Sequence, residues 1–141
     1  MTFDAADRSA VAQFVRNCGA GVIASIGPDA EPQAAFVGLT ATDDGLLVLD
    51  ALESSRKAAN VAARPGVAVV VTEGDVTVQL EGRARVSVDE ERRRVGAAYD
   101  ERFPGSRALD DGFVVIAIEV RWVRVYDVGT NPACVTESDW A

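Results

Sequence analysis

Apolar residues fall into three patterns along the chain, and each predicts a different element. Ala10, Val11, Phe14 and Val15 recur at helical spacing behind acidic residues, and Cys18-Gly19 supplies a stop, so residues 4–17 are expected to form an amphipathic helix. Ala20 to Gly27 is a short apolar run rich in β-branched residues, followed by the turn Pro28-Asp29-Ala30-Glu31-Pro32. Gln33 to Ala41 reads as a second strand around Phe36, ended by Thr42-Asp43-Asp44-Gly45, and Leu46 to Asp50 as a third. Tight acidic turns between short strands predict an antiparallel meander, because parallel strands need crossover segments.

Val67 to Thr72 is an uninterrupted valine and alanine run, expected as a central strand covered on both faces. Glu73-Gly74-Asp75 turns the chain into its clearest alternation. Val76, Val78, Leu80, Gly82, Ala84, Val86 and Val88 point one way, while Thr77, Gln79, Glu81, Arg83, Arg85 and Ser87 point the other. So long a strand is expected to curve, with Gly82 as the place to bend or bulge. Asp89 is expected to cap a helix with Val95, Ala98 and Tyr99 as its buried stripe, in which Arg92-Arg93-Arg94 form a solvated face. Phe113 to Val120 and Trp122 to Tyr126 supply the last strand or pair of strands. Residues 128–141 lack periodicity and are expected to form a C-terminal tail on a single domain spanning 1–127. Six or seven antiparallel strands with peripheral helices predict a mainly β fold, a small closed or split barrel.

One helix breaks the usual charge rule. Ser54-Ser55 offer side-chain oxygens to free amides, Ala58, Ala59 and Ala62 propagate, and Pro65 ends the run. Its first turn carries Arg56 and Lys57, which oppose the helix dipole at a cost of about 0.3–1 kcal/mol each when exposed. An anion removes that cost, since free amides, serine hydroxyls and two cations then converge on it. The helix start is therefore a candidate phosphate cradle, with a capped surface helix as the plain alternative.

Charge and composition narrow the function. The chain has 141 residues, 48% of them hydrophobic, and a formal net charge of −8. Such a surface repels nucleic acid and anionic lipid, so neither is an expected partner and any anion site has to be local. The N-terminus lacks the basic-then-apolar order of a signal peptide and no apolar run reaches membrane-span length, so a cytoplasmic location is expected. Cys18 and Cys134 stand alone and are expected as free thiols, with no metal site. With no histidine, Ser-His and Cys-His nucleophiles and His-ligated haem are excluded, and the chemistry is expected to belong to a bound cofactor.

Four segments together resemble one family: Leu46-Leu47-Val48-Leu49-Asp50, Ser55-Arg56-Lys57-Ala58-Ala59-Asn60, Arg64-Pro65-Gly66-Val67-Ala68 and Leu80-Glu81-Gly82-Arg83-Ala84. The likeness is to the pyridoxamine 5′-phosphate oxidase-like proteins, flavin-binding split barrels that are usually homodimers, and it runs from about Ala20 to Asp127. It implies that Arg56 and Lys57 hold the FMN phosphate with Ser55 assisting. It also implies that residues 34–38, including Ala35, Phe36 and Val37, and Leu49, Asp50 and Ala51 border the ring and ribityl chain. Thr77 and Gln79 would reach the cofactor from the partner subunit. The implied activity is that of an FMN-dependent oxidoreductase with a small-molecule substrate or an electron donor such as NAD(P)H.

Departures from the family pattern are informative. Ala35 to Thr40 carries no basic residue, and Trp122-Val123-Arg124-Val125-Tyr126-Asp127 replaces the family's Arg-Leu-His-Asp-Arg type segment, so pyridoxamine 5′-phosphate is not the expected substrate. A neighbouring branch that includes deazaflavin (F420) oxidoreductases shares Lys57-Ala58-Ala59-Asn60 and Arg64-Pro65-Gly66. F420 has a polyanionic tail that an acidic chain serves poorly, so FMN is expected before F420. A non-enzymatic flavin carrier or sensor is the remaining alternative. No catalytic acid or base is identified; Asp50, Tyr99 and Tyr126 are the groups able to titrate or donate.

Overall fold

The computed structural model describes residues 2–140. Its strands are β1 (Ala20–Ile26), β2 (Pro32–Gly38), β3 (Thr40–Ala41), β4 (Leu47–Leu52), β5 (Gly66–Glu73), β6 (Val76–Val86), β7 (Phe113–Asp127) and β8 (Cys134–Asp139). The helices are α1 (Arg8–Cys18), α2 (Arg56–Ala63) and α3 (Asp89–Arg102). All pairings are antiparallel, in the order β2-β1-β5-β6-β7-β4-β3, with β8 added to β7.

β2 and β3 stand at opposite ends of that order, yet only Leu39 separates them in the chain. The segment expected as one strand, Gln33 to Ala41, therefore joins the two ends of the sheet and closes it into a barrel. Leu39, fully buried, is the pivot. β2 pairs with β1 along its whole length, whereas β3 gives β4 only Thr40↔Val48 and Ala41↔Leu47. Beyond those two pairs β2 and β4 diverge without a ladder, which makes the barrel a split one. Division at Leu39 and the presence of β8 raise the strand count to eight, above the six or seven expected.

The alternation of β6 sorts as expected through Val86. Val78, Leu80 and Ala84 are buried, while Gln79, Glu81, Arg83 and Arg85 face solvent. The register shifts between Glu81 and Gly82, where a Cβ on Gly82 would stand 2.3 Å from the Glu119 carbonyl oxygen. The bulge thus needs a residue without a side chain. Past Val86 the strand ends and the alternation inverts: Ser87 is buried, donating to the Val115 carbonyl at 2.6 Å, and Val88 is 63% exposed. Val88, not Asp89, occupies the cap position of α3, and no side chain caps that helix.

The stretch after Asp127 holds β8. Its side chains alternate between half-buried Cys134, Thr136 and Ser138 and exposed Val135, Glu137 and Asp139, so no apolar period advertises it. Its ladder with β7, from Trp122↔Asp139 to Asp127↔Cys134, is reinforced by a clasp between the two ends of the chain. Ala5 N donates to Thr136 Oγ1 at 2.9 Å, Trp140 Nε1 donates to the Ala5 carbonyl at 2.8 Å, and Arg8 donates to the Trp140 carbonyl at 2.6 Å with its guanidinium over the indole. Trp140 reaches the main core, which fills the barrel and extends under α1 through Val11, Ala12 and Val15. A second cluster, of Val48, Val95, Tyr99, Ala108 and Val115, seats α3 on the outside of β4 and β7. No helix among the described residues is long and apolar enough to cross a membrane.

Two outcomes follow from the clasp. Trp140→Ala should lower the unfolding free energy by about 3 kcal/mol, the loss for emptying a large aromatic site, read by urea denaturation. Asp127 accepts from the Thr2 hydroxyl and from Gly129 N, and these bonds hold its carboxyl below the ordinary carboxylate range. Its contribution is complete above the unfolded value of about 3.9 and is lost as pH falls through the lower folded value. Asp127→Asn should flatten that part of the acid limb, measured as melting temperature against pH.

Candidate functional site

The seam between β2 and β4 is where α2 begins. Ser55, in extended conformation, caps the helix, its Oγ accepting from Ala58 N at 3.2 Å. Ser54 is exposed and makes no cap bond, so one serine does the work expected of two. Arg64 N bonds the Asn60 carbonyl at 2.7 Å, the Arg64 guanidinium reaches the Ile26 carbonyl at 2.6 Å, and Pro65 prevents another turn. Ala58, Asn60 and Val61 form the buried face. That leaves Arg56 and Lys57 on the first turn, beside a wall of small residues on β2.

A cavity of about 180 Å³ lies there, lined by Ser55, Arg56 and Lys57 on one side and by Ile23, Ser25, Gln33, Ala34 and Ala35 on the other. No carboxylate borders it. Among the described residues neither Arg56 nor Lys57 makes an ion pair or a side-chain hydrogen bond. Every other arginine except Arg83 does, to a carboxylate, as Arg85 does to Glu91 and Arg124 to Glu137, or to a carbonyl, as Arg8, Arg64, Arg92 and Arg102 do. In a chain of net charge −8, two uncommitted cations at one helix start form a local positive site that the rest of the surface lacks.

The expected site residues divide. Ser55, Arg56, Lys57 and Ala35 meet at the cavity, and Ala34 joins them. Phe36 follows on the outer face of β2, 77% exposed, and Val37 turns toward the core. Leu49 and Ala51 point into the barrel core, so only their backbone runs along the seam. Asp50 lies beside Tyr99 of α3; burial first, and then the Asp50 carboxylate, push the Tyr99 phenol above its ordinary range. Thr77 lies 3.2 Å from Thr72 through their hydroxyls, and Gln79 sits in register with Val70, Val22 and Phe36. That places Gln79 three strands from Phe36, about 14 Å at ordinary strand spacing, outside the cavity of its own chain.

Sequence reasoning missed Ser25 and Gln33 and gave Asn60 no role. Asn60 is 2% exposed, and its Nδ2 donates to Ser25 Oγ at 3.0 Å and to Gln33 Oε1 at 2.9 Å. A lone polar residue inside an apolar strand, and another on the buried face of an alanine helix, were the available signals, since buried polar groups need partners.

Other features offer less. A groove of about 920 Å³ between α1, α3 and the β3–β4 turn carries Arg16, Arg94, Arg102, Asp43, Asp44 and Glu101. Its three arginines are matched in number by three carboxylates; Arg16 is bound to Asp43 and to the Ala41 carbonyl, and Arg102 to the Arg16 carbonyl. Both cysteines are free, and burial with Glu73 alongside pushes the Cys18 thiol up to about 12, which removes its nucleophilic form at neutral pH.

Solved structures share the architecture. A conserved hypothetical protein of Mycobacterium tuberculosis is 27% identical, with a TM-score of 0.74 over 92% of this chain and 94% of that one. A haem-binding protein of Mycobacterium smegmatis, 22% identical, gives 0.73 over 91% of this chain and 57% of that one. A NimC/NimA family protein of Clostridium acetobutylicum, 16% identical, gives 0.70 over 92% and 91%. The last two likenesses, below 25% identity, are of fold. No protein with a curated description matches the sequence. The profile of the pyridoxamine 5′-phosphate oxidase family matches residues 8–127, from the first residue of α1 to the last of β7, and by that match the chain belongs to this family.

Proposed function

We propose that the chain binds FMN as a homodimer and acts as a flavin-dependent oxidoreductase on a small molecule other than pyridoxamine 5′-phosphate. The observation that carries this reading is the meeting of uncommitted Arg56 and Lys57, the Ser55 hydroxyl and the first amides of α2 on one cavity free of carboxylates. Amides at a helix start have no intrahelical acceptor, and a phosphate satisfies them together with both cations.

Size decides how much of the cofactor the cavity takes. Sites that enclose a whole ligand of this kind measure about 300–1,000 Å³, so a cavity of about 180 Å³ suits the phosphate and the atoms next to it. The ring then lies outside, along β2 past Ala34 toward Phe36. That outer face is apolar: Phe36, Val22 and Val70 are in register across β2, β1 and β5 and are 77%, 39% and 40% exposed. A second copy laid over it would cover these side chains and bring its own Thr77 and Gln79 to the cofactor. Once bound, the flavin supplies the hydride chemistry, with NAD(P)H as electron donor. The chain's own residues anchor the phosphate, leave a flat wall at Ala34 and Ala35, and screen one face from water.

The F420 reading rests on Lys57-Ala58-Ala59-Asn60 and Arg64-Pro65-Gly66. Arg64 is already bound to the Ile26 carbonyl, which leaves little positive charge for a longer anionic tail. Haem lacks a histidine ligand anywhere in the chain.

FMN at 100 times its dissociation constant should add about 2.7 kcal/mol of stability, seen as a raised melting temperature with a flavin absorption band that NADH or NADPH bleaches. A rise with F420 alone moves the assignment to the deazaflavin branch, and a band that neither donor bleaches favours a carrier or sensor. Replacing both cations, as Arg56→Ala with Lys57→Ala, should weaken FMN by about 3–6 kcal/mol, on the scale of two charged hydrogen bonds. The unliganded double variant should be as stable as the parent or slightly more so, the dipole conflict having gone. Unchanged FMN affinity in it would refute the cradle.

A further inference from the structure

The phosphate anchor does not account for the polar group behind it. Asn60, on the buried face of α2, is 2% exposed, and a buried amide has to spend its donors. It spends both on β1 and β2, one proton to Ser25 Oγ and the other to Gln33 Oε1. Ser25 and Gln33 are direct partners in the β1–β2 ladder, and both line the cavity opposite Arg56 and Lys57. An oxygen that accepts from Asn60 leaves its own group's hydrogens for another acceptor: Ser25 keeps its O–H, and Gln33 keeps both hydrogens of its amide nitrogen. Gly27 makes room for that nitrogen. A Cβ on Gly27 would stand 2.6 Å from Gln33 Nε2, although the glycine's φ of −82° is one that any residue adopts.

We propose that Gln33 is a ligand-reading residue of this cavity, donating its amide hydrogens to a phosphate monoester dianion, and that Asn60 positions it. The proposal rests on the phosphate reading of Arg56 and Lys57 and adds the opposite wall. Both walls then present hydrogens, and the oxygens of Ser55, Ser25 and Gln33 each already accept one from Ala58 N or Asn60 Nδ2. A phosphate dianion has only acceptors to offer and satisfies every one of these donors. The primary hydroxyl of a dephosphorylated ligand accepts at most two of these hydrogens and leaves the other donors unpaired. The relay from Asn60 through Ser25 and Gln33 thus makes the site selective for FMN over riboflavin, a discrimination that charge on Arg56 and Lys57 supplies only in part.

Three variants test it: Gly27→Ala, which pushes the Gln33 amide aside without altering charge; Gln33→Leu, which removes it from a half-exposed strand position; and Asn60→Asp, which turns the relay's donor into an acceptor. Dissociation constants for FMN and riboflavin are measured on each, with thermal shifts by inorganic phosphate. FMN should weaken about tenfold or more in every folded variant while riboflavin stays within about threefold. A constant FMN-to-riboflavin ratio, or an equal loss of both ligands as a purely structural role would give, overturns the proposal and leaves the flavin reading standing. Asn60→Asp is the variant most exposed to misfolding, and the other two decide the question without it. If the parent protein takes no FMN, the flavin reading falls and phosphate becomes the probe. A phosphate-induced shift that Gln33→Leu abolishes then supports the relay. A shift that survives in Gln33→Leu, or is absent from the parent, overturns it.

Discussion

A strand at the edge of a sheet presents unpaired amides and carbonyls, and this fold meets that cost with a single stretch of chain. The residues from Pro32 to Ala41 pair with β1 at one end and with β4 at the other, pivoting at buried Leu39. One segment cannot stay in register with two diverging neighbours along its whole length, so the barrel closes at β3 and opens between β2 and the rest of β4. The opening is where α2 has to start, because α2 follows β4 after a turn of three residues. The cavity, its small-residue wall and its cations are all consequences of an incomplete closure.

Electrostatics complete the picture. Arginine is spent almost everywhere else in the molecule on local carboxylates or on carbonyl oxygens, and exposed pairs of that kind contribute little to stability. At the first turn of α2 the opposite holds: no acidic residue is present there, and the helix dipole adds to the positive potential. Against a net charge of −8, this first turn is a local positive feature, and the proposed phosphate binding rests on it. The barrel interior is filled by valine, leucine and isoleucine, which leaves the seam and the outer face of β2 and β1 as the surfaces the proposed binding uses.

Much of this was legible in the sequence where one physical period dominated. The β6 alternation as far as Val86, the Gly82 bulge and the capped helix with misplaced cations each follow from local rules, and each stands where expected. The division at Leu39 was not legible, since an apolar residue between two strands looks like any other position of one strand; only the pairing partners reveal the pivot. β8 was hidden because its inward positions are Cys134, Thr136 and Ser138, held by hydrogen bonds rather than by apolar burial. At the site, Ser55, Arg56 and Lys57 announced themselves by breaking a charge rule. Leu49 and Ala51 obeyed the strand pattern and went into the core, and Asp50 was claimed by Tyr99 from a helix far along the chain. Gln33 and Asn60 gave only a faint signal, polarity in an apolar setting, whose meaning depends on a contact between residues 27 positions apart.

The clasp between Ala5, Arg8 and Trp140 has a consequence for time rather than for shape. Its hydrogen bonds join residues more than 130 positions apart, close to the largest separation the chain allows. Closing so long a loop is entropically costly until the strands between have already drawn its ends together. The clasp is therefore expected to form late in folding. A contact made after the transition state acts on the rate at which the native molecule comes apart and leaves the rate of folding almost untouched, so tying the two ends together is a device for persistence.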